Sequence, residues 1–286
     1  MVLDGLSSQQ SIRAYTRAMN DFSAWMNKTG LPFTKATVQK YRMELIEQGY
    51  SASTTNQRLS VVRAIAREAA DNGILAPAIA QGIQNVSGIE THGRRIGLRL
   101  TSQQAQELLA LPEGNLMGMR DKALLGLLVG SGLRRFELAK LKVDHLGYEQ
   151  DRPAILNIVG KKLRVRSIPL AEWTWDLTWD WLETAGIDEG PVIRGFYKGG
   201  KKIRPHGIST QAINDIVMKY GEMMGLELHP HDLRRTFARL AFDGGSSVEQ
   251  IQISLGHADA KTTYVYLGLD QNFEDAPADH LGIRFN

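Results

Sequence analysis

Residues 228–245, LHPHDLRRTFARLAFDGG, hold two histidines astride a proline and then a pair of arginines. If a helix begins at Pro230, His231 and Arg234 stand three residues apart and share one face, so both can be aimed at a single anion. On that helix Arg235 points elsewhere, and His229 lies outside it. A His-x-His metal pair is a rival reading of His229 and His231, but no third ligand stands at a suitable spacing. An ordinary polar helix start is the third reading. The partners that decide among them have to come from the rest of the chain.

At 286 residues the chain is long for one domain and comfortable for two. Its 43% hydrophobic and 23% charged residues are those of an ordinary soluble globular protein. No run approaches the roughly 20 apolar residues of a membrane helix, and no secretory signal opens the chain, so a cytoplasmic location without a membrane partner is expected. Zero cysteines exclude disulfides and thiolate zinc sites.

The formal net charge is only +3, but it is unevenly spread. From Asp270 onward, four acids (Asp270, Glu274, Asp275, Asp279) stand against Arg284, which leaves 33 basic and 27 acidic residues before them. GKKLRVR (160–166) and RGFYKGGKKIRPH (194–206) contain no acid at all. Their Lys161, Lys162, Arg164, Lys201 and Lys202 belong either to solvated loops or to phosphate contacts of the kind that supply most non-specific nucleic-acid affinity.

Along residues 8–28, Ile12, Tyr15, Met19, Phe22 and Met26 recur at steps of three or four and predict a helix. Val38, Tyr41 and Leu45 predict a second, ended by Gly49; Leu59, Val62, Ala66 and Ala69 a third, ended by Gly73; Pro77 opens a short fourth. Arg63 and Arg67 share a face of the third helix. Residues 1–90 are thus expected to form a helical domain. SGIETHGRRIGLRL (87–100) has three glycines and no apolar period, which makes 91–99 a linker whose Arg94 and Arg95 can follow a phosphate backbone.

The second domain, 100–286, opens with Thr101 as a cap for SQQAQELLAL. MRDKALLGLLVG is apolar nearly all round and predicts a buried core helix. AILNIV and LRVRSIPL read as strands joined at Gly160-Lys161-Lys162, a hairpin with lysines at its tip. Helices resume near Ser209 and continue to the region of Leu269. The fold expected is mainly α with a small antiparallel β-sheet, a helical domain followed by a mixed α/β one.

Three further segments carry residues whose spacing needs a reason. In SGLRRFEL, Gly132 permits a close backbone approach and Arg134 lies just inside a new helix, as an anion clamp or as the partner of Glu137 in a surface salt bridge. In SSVEQIQISLGH, Ser246 and Glu249 have capping-box spacing, and Gly256 ends the helix and exposes His257. Tyr266 follows nine residues later. On one continuous helix it would oppose His257, but the Gly-His-Ala-Asp break, with Asp259 as cap of the next helix, removes that objection. Tyr264 faces roughly the other way. Two arginines, a loop lysine, two histidines and a tyrosine together suit attack on a phosphodiester, with bidentate guanidiniums on its oxygens.

SGLRRFEL, GKKLRVRSIPL, HPHDLRRTFA and LGHADAKTTYVY, in that order, closely resemble the boxes of the tyrosine recombinase (phage integrase) family, in the simple two-domain form of Xer-type or transposon resolvase and integrase members. The resemblance covers nearly the whole chain. It implies a SAM-like helical core-binding domain followed by a DNA breaking and rejoining domain. It assigns Tyr266 as nucleophile through a 3′-phosphotyrosine, Arg134 and Arg234 as phosphate clamps, His231 as base and His257 as phosphate donor. Lys161 becomes the acid for the departing 5′ oxygen, with Lys162 a second candidate for that register.

The resemblance also implies strand transfer without metal or cofactor, and double-stranded DNA carrying specific sites as partner. The assembly expected is a homotetramer, or one shared with a heterologous recombinase. Because the helices are expected to start so near Met1, the separate domain for distant arm sites that the family often carries is expected to be absent. The final DQNFEDAPADHLGIRFN is expected to dock on a neighbouring protomer. A type IB topoisomerase and a non-catalytic helix-turn-helix protein remain as alternatives, as do integration, resolution and chromosome-dimer resolution within the family.

Overall fold

The computed structural model describes residues 9–90, 97–160, 165–257 and 259–267. The chain separates into two units, Met1–Arg95 and Ile96–Asn286.

The first unit is helical: α1 (Gln9–Thr29), α2 (Lys35–Glu47), α3 (Ala52–Asp71) and α4 (Pro77–Gln84). The Thr34 and Ser51 hydroxyls accept the backbone N–H groups of Thr37 and Thr54, which stops α2 and α3 fraying at their starts. The apolar stripes meet in one core of Phe22, Trp25, Val38, Tyr41, Leu45, Leu59, Val62, Ala66 and Ile83. Tyr41 sits at its centre, 5.0 Å between ring centroids from both Phe22 and Trp25. Such offset aromatic contacts add to simple burial.

The second unit begins with α5 (Ser102–Ala110), where Thr101 and Gln104 form the reciprocal capping box. α6 (Leu116–Ser131) is buried on nearly every side, as its composition predicts. After it come α7 (Arg135–Leu138), a three-stranded antiparallel sheet, α8 (Glu172–Ala185), a two-stranded hairpin and four more helices.

The sheet runs in the order β1 (Leu146–Glu149), β2 (Arg152–Val159), β3 (Val165–Pro169). Gln150 and Asp151, with φ of 50° and 58°, turn β1 into β2 in the left-handed conformation that a two-residue hairpin demands. β2 and β3 are the strands expected from the sequence, and Val159 pairs with Val165 at the end of their ladder. β1 was not expected. Neither was the hairpin of β4 (Arg194–Phe196) and β5 (Ile203–Gly207), which the basic segment 194–206 builds. The last helices among the described residues are α9 (Thr210–Met223), α10 (Pro230–Asp243), α11 (Val248–Leu255) and α12 (Ala260–Leu267).

The core of this unit gathers Leu124, Leu125, Leu128, Leu133, Ile155, Ile168, Trp181, Val217 and Leu233, so α6, the sheet, α8, α9 and α10 share one apolar centre. A smaller cluster of Ala238, Ile251, Leu255 and Leu267 joins α10, α11 and α12, with Tyr266 packed against it. Lys161, Lys162, Arg164, Arg94, Arg95 and the tail from Asp270 lie outside the described residues.

Candidate active site

Two helix ends meet at α10. α6 closes on Gly132, whose φ of 61° and whose Cβ position, 2.5 Å from a Phe237 ring carbon, both require glycine. α11 closes on Gly256, also left-handed with φ 61°. Arg234, on α10 and only 1% exposed, reaches between these ends. Its Nη1 donates to the Gly132 carbonyl and its Nη2 to the Leu255 carbonyl, while its Nε is buried without a partner. Burial, and then the nearby Arg134 charge, lower its pKa to about 10, so the guanidinium still carries its charge at neutral pH.

Arg134 is the residue before α7 rather than one inside it. Its backbone N–H and its Nη1 both donate to the Glu137 carboxylate, at 2.8 and 3.0 Å, and its Nη2 lies 3.5 Å from the Gly256 carbonyl. The pair with Glu137 is not a surface salt bridge, because Glu137 is 2% exposed. Its second partner is Arg166 on β3, which donates to both carboxylate oxygens, at 3.1 and 3.0 Å, and through Nε to the Ser254 carbonyl at 2.8 Å. Burial alone would raise the Glu137 carboxyl. The Arg166 hydrogen bonds, the Arg134 N–H and the two positive charges outweigh it and hold Glu137 below the ordinary carboxylate value. One buried carboxylate thus aims both Arg134 and Arg166, and Arg166 ties the sheet to the end of α11.

His257 is buried, at 8% exposure, where the sequence suggested exposure. The glycine break folds it beneath α12, and its Nδ1 meets the buried Thr263 hydroxyl at 3.0 Å. Ser247 rather than Ser246 caps α11, accepting the Gln250 N–H. Desolvation, followed by the Arg234 and Arg134 charges, lowers His257 to about 3. His231 keeps a solvent-exposed edge, yet the packing of its ring, with the Arg235 and Arg234 charges added, lowers it to about 4. Both imidazoles are neutral at physiological pH.

Tyr266 stands between them. Its hydroxyl is hydrogen-bonded to His231 Nε2, and its ring centroid lies 5.3 Å from that of His231 and 4.8 Å from that of His257. Tyr264 points to solvent. Arg235 does not point elsewhere: its guanidinium carbon lies 5.7 Å from the Tyr266 ring centroid and its Nη1 pairs with Asp232 at 3.1 Å. Side-chain reach brings it to the site although its Cα is about 100° round the helix from that of Arg234.

His229 turns away from His231, towards Asn214 and Glu227. Among the described residues no cluster of three His, Cys, Asp or Glu can hold a metal ion. Arg134, Arg234, His231, His257 and Tyr266 therefore form one constellation, a nucleophile-capable hydroxyl beside two neutral imidazoles and two guanidiniums. Arg166, Glu137 and Thr263 support it; the Gly-Leu-Arg-x-x-Glu spacing was the one sequence signal for any of the three.

Of the remaining basic residues, Lys201 and Lys202 are exposed in the β4–β5 connection, and Arg67 is exposed on α3. Arg63 is turned inward, its Nη2 donating to the Val86 carbonyl and its own carbonyl accepting from Gln84, so it ties α3 to α4 and the segment that follows it. No helix among the described residues is long and apolar enough to cross a membrane.

Comparison with known proteins identifies the family and the fold. The tyrosine recombinase XerC of Xylella fastidiosa (strain M23) is 28% identical over 273 residues, covering 93% of this chain and 88% of its own. The tyrosine recombinase XerC of Pseudomonas entomophila (strain L48) is 29% identical over 272 residues, covering 92% and 86%. In fold, the XerH site-specific recombinase bound to palindromic difH substrate matches with a TM-score of 0.72 at 17% identity, over 92% of this chain and 77% of its own. A lambda integrase dimer bound to a COC′ core site matches at 0.70 and 18% identity, over 92% and 89%. The phage integrase N-terminal SAM-like domain matches residues 3–73. The phage integrase family model matches residues 98–272, well over half of the sequence, and the chain belongs to that family of tyrosine recombinases.

Proposed function

We propose that this site-specific recombinase breaks DNA by in-line attack of Tyr266 on a phosphodiester, leaving a 3′-phosphotyrosine and a free 5′ hydroxyl. The single observation that carries the reading is the Tyr266 hydroxyl on His231 Nε2, flanked by the His257 ring, in the same chain as Arg134 and Arg234. The phenol has to lose its proton to attack, and neutral His231 is hydrogen-bonded to take it. The arriving phosphodiester anion raises the basicity of His231, since a nearby negative charge favours the imidazolium. Arg134 and Arg234 clamp the non-bridging oxygens and stabilise the crowded charge of the transition state; the unpaired Arg234 Nε supplies one donor. With Thr263 donating to Nδ1, His257 carries its proton on Nε2 and gives a hydrogen bond to the phosphate.

Lys161, at the β2–β3 connection, gives the proton to the departing 5′ oxygen. The phosphotyrosyl bond retains the energy of the phosphodiester, so rejoining by an incoming 5′ hydroxyl needs no nucleotide. The first unit binds the duplex through Arg67, and the second through Lys162, Arg164, Lys201 and Lys202, with Arg94 and Arg95 following the backbone between them. Four protomers on two sites exchange strands in the cytoplasm. The biological role is mobile-element integration, excision or resolution. A second reading, chromosome-dimer resolution beside a heterologous recombinase, is supported by the Xer names of the relatives.

The test begins with DNA crosslinked to the protein in cells and sequenced, which supplies the site. A nicked suicide duplex carrying that site accumulates a covalent adduct with the parent protein. Tyr266→Phe yields none while retaining the DNA. A full adduct yield from that variant overturns the reading.

A further inference from the structure

α12 carries Tyr266, and Leu267 is the last of its described residues. Two guanidiniums converge on the Leu267 carbonyl: Arg99 Nη1 donates to it at 3.1 Å and Arg239 Nη1 at 3.3 Å. Neither lies in any of the motifs that mark the site. Arg239 is on α10 and is itself braced by Asp243 at 2.9 Å. Arg99 comes from the segment that opens the second unit.

That segment is seated against the same helices. Gly97 lies so close to Arg235 that a Cβ there would overlap the guanidinium, and the Leu100 N–H donates to the Thr236 hydroxyl at 3.0 Å. Burial, and then the charges of Arg239 and Arg235, lower the pKa of Arg99, as expected where three guanidiniums stand close together. Arg99 Nε is buried and unpaired, so the Leu267 carbonyl is the acceptor seen for this guanidinium among the described residues. Leu267 itself is fully buried against α10 and α11.

We infer that Arg99 and Arg239 are positioning residues for the nucleophile: by holding the Leu267 carbonyl they fix α12 next to Tyr266 and so set where the Tyr266 hydroxyl lies relative to the scissile phosphate. This rests on the reading of Tyr266 as nucleophile. It makes the first residues of the second unit, outside the catalytic boxes, part of the seat of the reacting tyrosine. A misplacement of about 1 Å at a reacting atom can cost on the order of 10² in rate, and these contacts stand one residue from that atom's side chain.

The experiment uses the full-length protein and the nicked suicide duplex carrying its own site, at equal DNA occupancy checked by gel shift. Arg99→Gln/Arg239→Gln is expected to slow single-turnover cleavage by about 10²-fold. Rejoining from the isolated adduct, where the tyrosine is already bonded to the phosphate, should stay near the parent rate. Arg99→Lys/Arg239→Lys, which keeps a donor and a charge, should recover much of the cleavage.

A methylphosphonate at the scissile position, which removes the charge that Arg134 and Arg234 neutralise, should leave the double variant slow. If the double variant loses its cooperative melt, Arg99→Gln alone, at a half-buried position, decides, with about tenfold slowing expected. Cleavage within threefold of the parent rate overturns the inference, as does rescue by the methylphosphonate, which would place these arginines on the phosphate. Tyr266→Phe is run in parallel. An adduct from it overturns the nucleophile reading itself, whereas a dead Tyr266→Phe beside fast arginine variants overturns only the clamp.

Discussion

The hydroxyl of Tyr266 and Nε2 of His231 are hydrogen-bonded within one chain, although 35 residues separate them. The proposed nucleophile is therefore seated beside its proposed base, and the described residues of one chain hold every proposed reacting group but Lys161, which lies outside them. Cleavage in cis is the expected outcome. Mixing Tyr266→Phe with Arg234→Ala protein should give no adduct above either variant alone, scored on denaturing gels with the two proteins differing in size. Recovery of adduct on the Arg234→Ala chain would mean that tyrosines are exchanged between protomers.

Both site histidines are held neutral, His231 at about 4 and His257 at about 3, against an ordinary value of 6.5. In the unfolded chain they take up protons as pH falls through about 6.5, while the folded protein resists until pH 4 and below. The unfolded state then binds more protons, so stability present above pH 6.5 is lost as pH falls towards 4. Glu137, held below its ordinary value, adds a loss only at lower pH. The melting temperature should be lower at pH 5 than at pH 7. Imidazole resonances of both residues should still be those of neutral rings at pH 5.5; a midpoint near 6.5 for either would contradict the burial argument. Arg235→Ala should move the His231 midpoint upward, because it removes a neighbouring positive charge.

Glu137 is the shared counter-charge of Arg134 and Arg166. Removing one partner from a buried ionic network costs about 3–5 kcal/mol, since the charges left behind remain desolvated. Glu137→Gln should lower unfolding stability by that order in urea titrations and slow cleavage, because Arg134 loses its aim. Unchanged cleavage in a destabilised variant would show that Arg134 holds its direction without the carboxylate.

The helices of both units, and the β2–β3 hairpin, were legible because each writes its period or its turn into contiguous residues. Ile12 to Met26 marks α1, and Gly160 marks the end of a strand. The β4–β5 hairpin was not, since strands of three and five residues carry too little alternation to see. The five described site residues were legible as spaced boxes. What joins them was not. Arg166 reaches Glu137 across 29 residues and Arg99 reaches Leu267 across 168, and no local pattern announces such a contact. His257 was expected to be exposed because a glycine precedes it, but its ring is covered once Thr263 folds back over it. Arg235 was set aside by helix geometry at Cα, whereas a long side chain reaches round the face.

In the proposed mechanism the Thr263 hydroxyl is the donor to His257 Nδ1 and so sets the tautomer. A hydroxyl that donates to Nδ1 leaves Nε2–H for the phosphate. Thr263→Val should slow cleavage by about tenfold or more, the cost typical of losing an outer hydrogen-bond partner, while Thr263→Ser should stay close to the parent. Equal rates for the two substitutions in single-turnover cleavage would remove the tautomer role.

The most direct measurement of the central claim is to digest the adduct trapped on the suicide duplex and sequence its DNA-linked peptide by tandem mass spectrometry. The account predicts a 3′-phosphate esterified to Tyr266, with the exposed Tyr264 unmodified. A linkage on Tyr264, or a phosphate retained on the 5′ strand, would contradict it.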